Sequence, residues 1–164
     1  MPAGTQAHGM LISPERVHRH LQATLADRNG PHTAVLTAPQ GQILGSASVA
    51  PNSDSKDSYT DDPGHEMNDN EPWLETPERL RLLVGLASQW HTDESPRVEC
   101  ELGRLLMMPI ALPDPEVPPQ NAAVPVMRSR TPSSMLLVLN STSSVSWSDL
   151  VVKAEAFSSV WRRG

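Results

Sequence analysis

Cys100 is the single cysteine of the chain and the obvious candidate for a nucleophile. It sits in Val98-Glu99-Cys100-Glu101-Leu102, where apolar and acidic residues alternate. Acidic neighbours raise a thiol pKa, so the pattern reads as a small apolar side chain packed in a half-buried strand. His18 and His20 are two residues apart on a helical stretch and therefore on different faces, unable to share a metal as histidines at i and i+4 do. His8, His32, His65 and His91 fall in or beside expected loops. All six histidines are read as surface residues. Gly41 and Gly45 do not make a phosphate loop, because the Lys-Ser/Thr that must follow is missing. The acidic stretch 50–72 has neither the Asp-x-Asp-x-Asp-Gly spacing nor the closing Glu of a calcium loop. The residues offer no catalytic site, no metal site and no cofactor; a Cys100-dependent enzyme is the weaker alternative.

Composition and charge narrow the partners. Of 164 residues, sixteen are Pro and only six are aromatic (four Trp, one Tyr, one Phe). One domain interrupted by irregular segments fits that mixture. Residues 51–72 hold seven acids and one base, which accounts for the whole net charge of −6. A neutral remainder without a basic cluster argues against nucleic acid. A lone cysteine fits a reducing compartment. No apolar run approaches the ~20 residues of a membrane span, and the first residues, MPAGTQAHG, carry no signal pattern. Membrane attachment is expected to come through a partner.

The elements follow from caps and periodicity. Ser13-Pro14 predicts a helix start, with Ile12 and Val17 placed as a hydrophobic staple. Val17, Leu21 and Leu25 form its stripe, and Asn29-Gly30-Pro31 its stop. AVLTAPQGQILGSAS (34–48) predicts a hairpin about Pro39-Gln40-Gly41, with Gly41 left-handed. Thr76-Pro77 predicts a second helix with a stripe of Leu80, Leu83, Val84 and Ala87, widened by Leu86 and Trp90. Val98–Leu102 predicts a strand, Gly103-Arg104 a two-residue turn, and Leu105–Ile110 the returning strand, with Met107 and Met108 in the core. Residues 111–133 hold six prolines without a basic-flanked Pro-x-x-Pro, and with 50–72 they are expected to be irregular, the acidic segment disordered. Met135–Leu139 reads as a strand covered on both faces. In the last helix Trp147, Leu150, Ala154, Phe157 and Trp161 are spaced 3, 4, 3, 4, behind a capping box of Ser146 and Asp149. Burying its four large side chains is worth roughly 1.5–3 kcal/mol each.

The order is αββαβββα, predicting an α+β fold: a five-stranded antiparallel sheet with helices on both faces, spanning 10–161 after a flexible 1–9. That order resembles the roadblock (dynein light chain) family, and within it the subunits of the late-endosomal/lysosomal Ragulator scaffold and its vacuolar counterpart. MLISPERVHRHLQ, AVLTAPQGQILGSAS, ELGRLLMMPI, and LLVLN followed by VSWSDLVVKAEAF carry the likeness. The two irregular insertions are longer than the family's usual loops. The resemblance implies a roadblock/profilin-like fold whose third strand pairs with that of a second roadblock subunit, making a continuous sheet with the second helices beneath the seam. Projected here, the interface would be Val98, Glu99, Cys100, Glu101 and Leu102 on the strand, with Leu80, Leu83, Val84 and Ala87 on the helix. It further implies a non-enzymatic scaffold or adaptor in a heterodimer, held by a lipidated anchor subunit at the cytosolic face of the late endosome, lysosome or vacuole. There the assembly recruits Rag-type GTPases for amino-acid signalling to the target-of-rapamycin kinase. Nucleotide exchange on those GTPases is credited to the assembly, and nothing in this sequence forms an exchange site. The alternative within the family is a dynein-type light chain.

Overall fold

A strand apolar at every position must be covered on both sides, and the run Met135–Leu139 lies at the centre of the sheet. The structure, a computed structural model, describes residues 13–27, 29–49, 74–89, 95–111 and 134–163. The expected staple residue Ile12, Trp90, residues 1–9 (expected to be flexible) and nearly all of both insertions lie outside the described residues. The elements run α1 (Pro14–Thr24), β1 (Thr33–Thr37), β2 (Ile43–Ser48), α2 (Thr76–Ala87), β3 (Arg97–Cys100), β4 (Gly103–Ala111), β5 (Ser134–Ser141) and α3 (Trp147–Arg163). The five strands are antiparallel in the order β2-β1-β5-β4-β3. The α+β architecture and element order are those expected.

Helices cover both faces. Val17 and Leu21 of α1 and Leu150, Ala154, Phe157 and Trp161 of α3 pack on one face, against Leu36, Leu106, Leu137 and Leu139. On the other face, among the described residues, α2 packs its Leu83 and Ala87 against Val35, Leu105, Met107, Leu136 and Val138. Close approach of α1 to β2 needs Gly45: a Cβ there would stand 2.4 Å from Val17 Cγ1, on a β-branched side chain with little freedom to move.

Both hairpins use one device. Gly41 N–H donates to the Ala38 carbonyl at 2.9 Å and Ala38 N–H to Gln42 at 2.8 Å. Gly41 has φ +84°, and among the described residues no non-glycine residue has positive φ. This is a type I turn closed by a left-handed glycine, as predicted. In the second hairpin the turn falls on Glu101-Leu102, two residues before the expected Gly103-Arg104. Gly103 is again the closing left-handed residue (φ +89°), paired with Cys100. Pro109 explains the difference. With the expected turn, Pro109 would oppose Val98 at a position that must donate an N–H into the ladder. In the observed register the ladder ends at Arg97–Leu106, and Pro109 lies beyond it, where no donor is needed. As a result β3 ends at Cys100, short of the expected Leu102, and β4 takes in Gly103 and Ala111.

Helix ends also shift. Ser13 is the N-cap of α1 with Pro14 following, but its side chain makes no capping bond. The helix stops at Thr24, whose hydroxyl bonds back to the His20 carbonyl at 2.9 Å. The Asn29-Gly30-Pro31 signal thus marks entry into β1. The N-cap of α2 is Glu75, one residue before the predicted Thr76. At α3 Ser146 caps as predicted: its Oγ accepts Asp149 N–H at 3.1 Å and donates to the Asp149 carboxylate at 2.6 Å. Asp149, shorter than the usual Glu, meets the hydroxyl and not the Ser146 backbone.

Where α1 meets α3, the His20 ring stands edge-on to Phe157 and Trp161, at 6.5 and 6.3 Å. Burial, then the positive charges of Arg16 and Arg19, hold its pKa below the ordinary value. The folded state keeps the imidazole neutral where the unfolded chain would protonate it. Its contribution is therefore complete above about pH 6.5 and is lost as pH falls through the lowered folded value. Melting His20→Phe beside the parent should show the variant gaining in relative Tm from about pH 7 down to about pH 5. A constant difference would contradict this origin of the shift.

Candidate partner interface

A sheet has two edges, and here they are treated differently. On β2, Val49 N–H donates to the His32 carbonyl at 2.8 Å. By alternation Ala47 and Gly45 also turn toward β1, and the Ser46 carbonyl points outward. His18 of α1 covers it, with Nδ1 3.1 Å from that oxygen. On β3, Met107 N–H donates to the Pro96 carbonyl at 3.1 Å. Val98 and Cys100 therefore direct their backbone groups to β4, while Arg97 and Glu99 direct theirs to the open side. Among the described residues β3 has a strand neighbour on its β4 side alone.

The flanks of α2 differ as well. A Cβ on Gly41 would lie 4.0 Å from Val84 Cγ1 and 3.9 Å from Ser88 Cβ, so Val84 looks toward the β1–β2 turn. Leu80, one turn earlier, shares that flank. On the other flank Arg79 reaches Asn140 of β5, and helical spacing places Leu82 and Leu86 on that side, toward β4 and β3. Leu82 is 48% exposed.

The predicted interface residues divide accordingly. Leu83 and Ala87 are buried on their own sheet, and Leu80 and Val84 are half-buried on the flank away from β3. Val98 and Leu102 are half-buried against the α2 cluster. Glu99, Cys100 and Glu101 are exposed. Reading Cys100 as a packed apolar side chain is thus corrected: its thiol is free and exposed. Alternation identifies the face a residue points to, not how far the covering layer reaches, and α2 lies over β1 and β5 rather than β3. His32 corrects the surface reading of the histidines. It is buried, with Nδ1 3.0 Å from Thr33 Oγ1, and its backbone N–H donates to the Asn140 carbonyl at 2.9 Å.

Three polar residues that bond to the β3–β4 hairpin or to one another were not singled out from sequence. Arg104 donates through Nε to Glu99 Oε2 (3.3 Å) and through an Nη to the Val145 carbonyl (2.6 Å), and its guanidinium lies 5.2 Å from the Trp147 ring centre. It ties the face of β3 opposite α2 to the start of α3. Arg79 is 2% exposed and donates to Asn140 Oδ1 at 2.8 Å, while Asn140 Nδ2 donates to the Leu102 carbonyl at 2.7 Å. Among the described residues no group of three or more His, Cys, Asp or Glu side chains could hold a metal ion. A cleft of about 450 Å³ is lined by Asp27, Asn29, Gly30, Asp149, Val152 and Lys153, and an ion pair between Lys153 and Asp27 crosses it.

A scan against models of protein families finds no match for this chain, and neither does a search of curated proteins. Among the described residues no helix is long and apolar enough to cross a membrane.

Proposed function

We propose that this chain is a non-enzymatic roadblock-type adaptor that pairs edge to edge with a second roadblock subunit. One observation carries the reading: α1 screens the β2 edge at the Ser46 carbonyl, whereas among the described residues β3 has a strand neighbour on its β4 side only, and the α2 flank that helical spacing turns to that side exposes Leu82. Edge pairing supplies main-chain hydrogen bonds, and apolar side chains beside the edge add burial. The resemblance of element order to the roadblock family supports a role like that of the second subunit of the Ragulator scaffold. In that role it heterodimerises, is held at the lysosomal or vacuolar membrane by a lipidated anchor subunit, and helps recruit Rag-type GTPases for amino-acid signalling to the target-of-rapamycin kinase.

Purification of the chain with its associated proteins, followed by mass spectrometry, tests the setting. Rag-type GTPases with a lipidated anchor support it; motor chains in their place would move the protein to the dynein branch of the family. The seam has its own test in Cys100. Its thiol should alkylate readily in the free chain and lose most of that rate once a roadblock subunit is bound. An unchanged rate in the isolated heterodimer would place the contact elsewhere.

A further inference from the structure

A guanidinium is a costly side chain to bury, and an apolar residue at position 79 could pack on the sheet equally well. What Arg79 supplies is direction. Arginine can only donate, so the Asn140 amide must turn its oxygen to Arg79, which leaves Nδ2 as the donor. Nδ2 then meets the carbonyl of Leu102, a residue of the β3–β4 turn, at 2.7 Å, with a longer contact of 3.4 Å to the Arg104 carbonyl and one of 3.5 Å to that of Ser141. The Leu102 side chain also packs in the α2 cluster. We propose that Arg79 and Asn140 are positioning residues: they hold the β3–β4 hairpin in place from α2, so that the open edge and the exposed flank of α2 form one surface. The geometry stands by itself, while its consequence for docking rests on the adaptor reading.

Amide hydrogen exchange on the full chain separates this role from simple packing. Asn140→Asp keeps an acceptor for Arg79 but turns a second acceptor toward the Leu102 carbonyl. The amides of Val98 and Cys100, which point into the β3–β4 ladder, should then exchange roughly tenfold faster or more, while those of Leu83 and Ala87 in α2 keep their protection. The paired replacement Arg79→Met with Asn140→Leu substitutes an apolar contact for the polar one. It should hold Tm within about 2 °C of the parent or raise it, yet loosen the same hairpin amides. Should Asn140→Asp fail to fold, the paired variant decides. Parental exchange at Val98 and Cys100, or equal acceleration in α2 and the hairpin, would overturn the proposal. A loosened hairpin with unchanged affinity for the roadblock partner would leave this link standing and count against the docking reading alone.

Discussion

Phe157→Ala should destabilise the chain by about 3–5 kcal/mol, a large share of the ~5–15 kcal/mol typical of a folded domain. Phe157 is buried in the core shared by α1, α3 and the sheet. Its ring stacks on Trp161 with centroids 5.9 Å apart and planes 8° from parallel, and it meets the edge of His20. Truncation removes the buried surface, leaves a cavity too well braced to collapse, and breaks the column that joins α1 to α3. The comparison variant has to come from the outer face of the same helix. Ser158, which the spacing places on the flank of the stripe, is itself buried and accepts a bond from Arg162 at 3.2 Å. Val160 is 47% exposed, and Val160→Ala should change stability by no more than about 0.5 kcal/mol. Chemical denaturation of the two variants checks this. Equal losses would mean that α3 does not bury the face its spacing indicates.

How far the fold could be read in advance depended on how uniform each signal was. The unbroken run in β5 and the 3, 4, 3, 4 spacing of α3 each admit one arrangement, and both elements are buried as read except at Trp147, which is half-buried at the start of α3. The second hairpin was misplaced because a glycine can open a turn or close one. Pro109 held the information that separates the two, but only once the strands are set in register. Arg79 was passed over because a guanidinium within an apolar stripe reads as an interruption. Its position four residues before Leu83 and eight before Ala87 was the available signal. Asn140 follows the apolar run Met135–Leu139, and a strand central in the sheet keeps its last residues covered too. Cys100 depended on where α2 comes to lie, which no local pattern records. The open edge was legible as a strand, but which of its backbone groups face outward required the register.

That register turns the edge into an experiment, since adjacent residues of β3 direct their N–H groups oppositely and proline deletes one at a time. Cys100→Pro removes a donor from the Cys100–Gly103 pair that closes the hairpin. It leaves the buried Gly103 carbonyl without its partner, at about 1–3 kcal/mol, and should chiefly unfold the β3–β4 hairpin. Glu99→Pro removes an N–H that faces the open side, so much of the fold should survive while association with a roadblock subunit is lost. Glu99→Thr isolates the side chain: it breaks the exposed ion pair with Arg104, worth about 0–1 kcal/mol, and should leave pairing intact. Size-exclusion chromatography with light scattering on the co-expressed pair reads all three. The rival account of this edge is physical as well, because a short strand bearing charges such as Arg97 and Glu99 is one way proteins keep an edge from pairing. On that account Glu99→Pro leaves assembly unchanged, and the partner surface must lie on the helices alone. On the edge-pairing account the heterodimer disappears while the subunit stays folded.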